Sequence, residues 1–217
     1  MNSITIKNYD LQYDECGGCW NKETCLRNGK IETYSGPGSL LENTDLFVEK
    51  LNEFIKENNI KSIIDVPCGD FNFMCNVDLN NINYLGLDIS KKAIEICKNK
   101  INKPNICFQV LDITNEEIQY ADLIIIKDLF LHLSFSDIHK ILDNVIRSGS
   151  KFLAVSRYSH GNEINKDQES GLGCRAIEIT TKPFNFKYPI VFKTYNTSLQ
   201  SSSKPWMTDE MIFFKLN

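Results

Sequence analysis

Three successive short apolar runs in this chain each deliver an aspartate to their carboxyl end. Lys61–Val66 carries Asp65, Tyr84–Asp88 ends on Asp88, and Ile106–Leu111 runs into Asp112. Two more runs, Ala121–Lys127 and Lys151–Ser156, complete a set of five. Each is too short for a stable helix, and Ala121–Ile126 is apolar without alternation, as a strand buried on both faces must be. Segments of helical period lie between them. After Ser39, a candidate cap, Leu40, Leu41, Phe47, Leu51, Phe54 and Ile55 recur at helical spacing as far as Asn58. Ser90 caps a helix through Ile101 with Ala93, Ile94 and Cys97 on one face. Ser136 or Asp137 opens a third through Arg147, with Ile138, Ile141, Leu142 and Val145 inward. Strand and helix in alternation predict an α/β fold: a mostly parallel, doubly wound sheet with helices on both faces. The end of the chain differs. Arg157–Lys187 has no clear period. Ile190–Tyr195 and Met211–Leu216 then read as strands with no helix between them, an antiparallel closure that brings the sheet to seven.

A chain of 217 residues needs only one domain. Residues 39–217 are its body. Residues 1–38 are polar and read as an N-terminal extension packed on it, placed to act as a lid. A net charge of −4 with no long basic run makes a nucleic-acid backbone a poor partner. No apolar run is long enough to cross a membrane, and the first residues lack the pattern of a secretory signal. A cytoplasmic protein with its eight cysteines reduced is therefore expected. Cys16-Gly17-Gly18-Cys19 and Cys25 have the spacing of a zinc knuckle but supply three local ligands where a structural zinc needs four. Reduced thiols are the expected state, and no metal site is assigned.

In an open α/β sheet, ligands bind outside the carboxyl ends of the strands. The segment Asp65-Val66-Pro67-Cys68-Gly69-Asp70-Phe71 leaves a buried strand through a turn where Gly69 lets a ligand approach the backbone. Asp88, 23 residues on, can accept both hydroxyl hydrogens of a ribose, and Asp112 the amino group of an adenine. A dinucleotide fingerprint aligned on Gly69 would want glycines where Pro67 and Asn72 stand, and a P-loop is missing.

These segments resemble the class I S-adenosylmethionine-dependent methyltransferases over residues 35–217. The family's first motif, acid-x-Gly-x-Gly-x-Gly, retains only its middle glycine here, with Pro67 and Phe71 in the outer places. Asp88-Ile89 matches the ribose motif, Asp112-Ile113 the adenine-side motif, and Ala121–Asp128 the strand beside the methyl group. Ser35–Ser39, Leu129–Ser134 and Pro183–Phe186 are similar to stretches of a bacterial-type subgroup, some of whose members look associated with surface-sugar modification. The resemblance implies a Rossmann-like methyltransferase sheet and S-adenosylmethionine as cofactor, with S-adenosylhomocysteine as product. It implies a cofactor site from Asp65, Pro67, Cys68, Gly69, Asp70, Phe71, Asp88, Ile89, Asp112, Ile113 and Lys127, with Gly36 and Ser39 in a loop closing over the amino-acid end. It further implies methylation of a small-molecule or sugar hydroxyl. That chemistry needs a base near the methyl group. Asp128 and His132 share a face if their segment is helical and would act as orienter and base, with His160 in reserve. Trp20, Tyr158, Asn165 and Arg175 are expected to line the acceptor side. An amine acceptor, or a methyltransferase-like fold kept only for binding, are the competing readings.

Overall fold

The computed structural model describes residues 9–13, 26–27, 29–157, 164–171, 173–195 and 210–217. The strands fall close to where the apolar runs put them. After a two-residue hairpin, β1 (Leu26–Arg27) with β2 (Lys30–Ile31), the main sheet holds β3 (Ser62–Asp65), β4 (Asn83–Asp88), β5 (Ile106–Val110), β6 (Leu123–Ile126), β7 (Phe152–Arg157), β8 (Ile190–Tyr195) and β9 (Glu210–Lys215). The order is β5-β4-β3-β6-β7-β9-β8. Pairing is parallel from β5 to β7, and β9 runs antiparallel between β7 and β8.

Alternate residues of the central strands feed two cores, which is why their sequences are apolar without a break. Ile63, Tyr84, Leu123, Ile125 and Phe213 pack under α1 (Leu41–Glu57) and α2 (Lys91–Lys100). Ile64, Leu87, Ile124, Ile126 and Phe214 pack on the opposite side under α3 (Phe135–Arg147). Helices therefore cover both faces, as expected.

Two helix starts differ from the sequence reading. Ser39 does not cap α1: it ends a 3-10 turn (Pro37–Ser39), and Leu40 holds the cap position without a side-chain bond. The Glu32 carboxylate reaches back to accept the Leu41 N–H at 2.6 Å, satisfying an orphan donor from outside the helix. Helix α3 starts one or two residues early because Ser134 accepts the Asp137 N–H at 3.2 Å. Ser90 caps α2 as predicted, accepting the Ala93 N–H at 3.2 Å.

Strand order reverses between β3 and β6, so their carboxyl ends splay apart into a crevice. Asp65 ends β3, Asp88 ends β4, and Lys127-Asp128 follow β6 at this point.

Candidate active site

The turn after β3 is built around Gly69, whose φ of +54° belongs to the left-handed region. Its N–H donates to Asp88 Oδ2 at 3.0 Å, while Asp88 Oδ1 accepts from the Ser90 N–H at 2.8 Å. Each carboxylate oxygen keeps a second lone pair, so Asp88 can still accept ribose hydroxyls. Burial pushes its pKa up to about 6 against the pull of these N–H donors.

Asp65 lies 1% exposed and accepts the Tyr84 hydroxyl hydrogen at 2.6 Å on Oδ2. Oδ1 is buried with no hydrogen-bond partner among the described residues. Desolvation raises its pKa to about 7. A buried acceptor without a donor fits a site that a ligand amino group completes.

Gly69 also has a second purpose. A Cβ on it would fall 2.2 Å from Ser35 Oγ, so the missing side chain admits Ser35. Asp70 holds that neighbour in place. It accepts from Ser35 Oγ at 2.8 Å, Thr33 Oγ1 at 2.9 Å and the Tyr34 N–H at 2.7 Å, while its own N–H donates to Ser35 Oγ at 2.9 Å. The Asp70 carboxylate is thus engaged with the N-terminal extension.

Phe71 also has positive φ, +60°, where the family motif has a glycine. Its ring stacks edge-on against Tyr84 and Phe108 at 5.2 Å each, so the side chain is core and only its backbone serves the turn. Cys68 and Ile113 likewise bury their side chains in the two cores. Pro67 and Ile89 are half-buried beside the crevice. Asp112 caps its own turn, accepting Thr114 Oγ1 at 2.6 Å, the Thr114 N–H at 3.0 Å and Asn115 Nδ2 at 2.8 Å.

On the β6 side, Lys127 is buried, and its Nζ donates to Asp128 Oδ2 at 2.5 Å and to the Gly38 carbonyl at 3.1 Å. A Cβ on Gly38 would sit 2.4 Å from Asp128 Oδ2. Gly36 has φ +94° and starts this Pro37–Ser39 turn, whose Gly38 lies against Lys127 and Asp128.

The expected helical turn from Asp128 to His132 does not form. Asp128 has φ +56°, its N–H donating to Ser156 Oγ at 2.8 Å, and a short 3-10 helix (Phe130–His132) follows. The carbonyl of Gly173, 2.9 Å from His132 Nδ1, takes the orienting place that was expected of Asp128. A carbonyl oxygen can only accept, so Nδ1 carries the hydrogen and Nε2 is the basic nitrogen. Burial lowers the His132 pKa, keeping the ring neutral near pH 7.

Two residues expected on the acceptor side bond to the chain itself. Arg175 caps the 3-10 helix: Nη1 donates to the Leu131 carbonyl at 3.1 Å, Nη2 to that of Leu133 and Nε to that of Lys166. Asn165 ties its own loop, donating to the carbonyls of Glu178 at 2.9 Å and Lys182 at 2.7 Å and accepting the Glu178 N–H at 2.9 Å. Trp20, Tyr158, His160 and the Cys16/Cys19/Cys25 cluster lie outside the described residues.

Sequence reasoning missed Tyr9, Asp10, Tyr13, Glu32, Thr33, Ser35 and Ser156. All make contacts far along the chain; all but Ser156, which lies on β7, come from polar stretches without periodicity, and only the subgroup match at Ser35 offered a signal.

The family described as methyltransferase domain matches residues 63–149. No curated protein matches the chain. The magnesium protoporphyrin IX methyltransferase of Synechocystis PCC 6803, solved with bound S-adenosylmethionine, shares the fold with a TM-score of 0.56 at 11% identity, over 78% of each chain. An S-adenosylmethionine-dependent methyltransferase from Clostridium acetobutylicum ATCC 824 gives 0.54 at 19%, over 81% of this chain and 91% of that one. The N-methyltransferase NodS of Bradyrhizobium japonicum WM9 gives 0.54 at 12%, over 79% and 98%.

Proposed function

We propose, from the match of residues 63–149 to the methyltransferase-domain family and the fold shared with solved S-adenosylmethionine-dependent methyltransferases, that the chain is such a methyltransferase and acts on a hydroxyl of a small molecule or sugar. The observation that carries this reading is His132, fixed through Nδ1 on the Gly173 carbonyl in the 3-10 helix that follows β6, the strand bordering the crevice.

Bound S-adenosylmethionine supplies a methyl already activated on a sulfonium. Asp88 would hold the ribose, and Asp65 Oδ1, without a hydrogen-bond partner among the described residues, would accept from the ligand's amino group. What remains for the chain is alignment and deprotonation, and alignment alone can supply several kcal/mol. Asp128, held rigid by Ser156 and Lys127, would orient the acceptor hydroxyl. His132 Nε2 would take its proton. The acidic balance of the chain suits a small or sugar acceptor over a nucleic acid.

A screen of hydroxylated small molecules and sugar nucleotides for S-adenosylhomocysteine release tests the proposal. One acceptor should turn over, with His132→Ala lowering kcat about 10²- to 10⁴-fold while S-adenosylhomocysteine still binds. Turnover of amines alone, with full activity in His132→Ala, would sink the hydroxyl reading.

A further inference from the structure

Strand β5 is an edge of the main sheet: it pairs with β4 on one side, and among the described residues no strand pairs with it on the other. The Asn105 carbonyl accepts the Tyr84 N–H at 2.9 Å, and the Leu111 N–H donates to the Asp88 carbonyl at 2.9 Å. Backbone groups of successive strand residues point to opposite sides, so Cys107 and Gln109 also turn theirs toward β4. Ile106, Phe108 and Val110 turn theirs to the open edge, where the Lys103 carbonyl takes the Ile106 N–H at 3.1 Å. The remaining groups form a row that another strand can pair with.

Proteins usually blunt such an edge with charge, proline or a bulge. The far edge of this sheet is blunted: β8 carries Lys193, and its register against β9 shifts between Ile190 and Phe192. Strand β5 reads Ile-Cys-Phe-Gln-Val, with no charge, no proline and an even register. Val110 is 38% exposed. Cys107 and Gln109 are exposed too, on a face left open because no helix forms between β5 and β6. Charge is divided along the strand: Lys98, Lys100 and Lys103 precede it, while Asp112 and Glu116 follow it.

We propose that β5 is a dimerisation edge, paired antiparallel with β5 of a second copy of this chain across a two-fold axis at Phe108. In that register Phe108 exchanges both backbone bonds with its counterpart, and each Val110 N–H donates to the partner's Ile106 carbonyl. Moving the axis toward either end leaves fewer of these groups facing. The charges select the same arrangement: an antiparallel partner brings the Lys103 turn of each copy beside the Asp112 end of the other, whereas a parallel one sets like against like. The two sheets become one, and their crevices at the carboxyl ends of β3, β4 and β6 open at opposite ends, so neither blocks the other.

Light scattering of the full chain across a concentration series tests this. Wild type should reach twice the chain mass, and Val110→Pro should weaken association at least about tenfold. That substitution removes an N–H that β4 does not use, and a sheet edge tolerates proline. Lys103→Glu should weaken association as well, by setting acid against acid at the partner's Asp112. Gln109→Cys decides the matter even where Val110→Pro folds poorly. Cys107 faces position 109 of the partner as a non-hydrogen-bonded pair, with Cα atoms about 4.5 Å apart and within disulfide reach. Mild oxidation should link Cys107 of one copy to the introduced thiol of the other, identified by peptide mass spectrometry. A wild-type monomer at every concentration would overturn the proposal. So would a dimer that folded Val110→Pro leaves as tight as wild type, or an oxidised Gln109→Cys chain without that link.

Discussion

Gly69 and Asp88 set the terms for everything near the crevice. Replacing Gly69 by alanine places a methyl 2.2 Å from Ser35 Oγ at a φ that disfavours side chains. The Ser35–Asp70 contacts should break, with a loss of about 1–3 kcal/mol in urea unfolding. An unchanged midpoint would mean that Ser35 does not occupy that space. Asp88→Ala removes the carboxylate proposed to accept the ribose hydroxyls and should weaken S-adenosylhomocysteine binding at least about tenfold by calorimetry. Asp70 shows how a motif residue can carry a different duty: its carboxylate holds Thr33, Tyr34 and Ser35 across more than thirty positions. No local pattern announces such a bond, and so Asp70 looked like a cofactor residue in sequence.

The elements were far more legible. Apolar runs located each of the seven main strands to within two residues, because burial on both faces leaves an uninterrupted signature. Helix starts were harder. Ser134, two residues before the expected Ser136, and Glu32, nine before Leu41, do the capping. Ser134→Ala should cost about 1 kcal/mol by removing the Asp137 bond. The connection from β5 to β6 depends on Asn144 of α3. It donates to the Ile113 carbonyl at 3.1 Å and the Glu116 carbonyl at 2.5 Å, and accepts the Ile118 N–H at 3.2 Å. Asn144→Ala strands these buried groups and should cost about 1–3 kcal/mol. A smaller loss would show the loop satisfying its own backbone. The Asp128–His132 pairing was misread for a related reason: spacing suggested a helical turn, but the positive φ of Asp128 breaks it, and the Gly173 carbonyl arrives from a segment forty residues away.

At the scale of the molecule, the buried carboxylates should mark the pH dependence of stability. Burial raises Asp65 to about 7, against about 4 unfolded. Between those values the folded chain holds a proton that the unfolded chain has released. This group's contribution is therefore full below pH 4 and falls as pH rises toward 7, by at most about 1.4 kcal/mol per pH unit. Asp88, raised to about 6, adds the same sign between about 4 and 6. Asp122 has the opposite sign. Burial pushes it up, but bonds from Lys151, the Lys61 N–H and Tyr120 outweigh that and hold it near 2, so its contribution is present above pH 4 and lost as pH falls through 2. Urea unfolding across pH 4–8 should show Asp65→Asn with a flatter decline than wild type. Identical slopes would place the titrating group elsewhere.

All of these features share one arrangement, in which the carboxyl ends of β3, β4 and β6 meet where the sheet order reverses. A crystal structure of the chain soaked with S-adenosylhomocysteine tests it most directly. The ribose hydroxyls should lie within hydrogen-bond distance of Asp88, with the ligand's amino group toward Asp65. Ligand bound away from the Gly69 turn, with Asp88 still covered by its own chain, would contradict it.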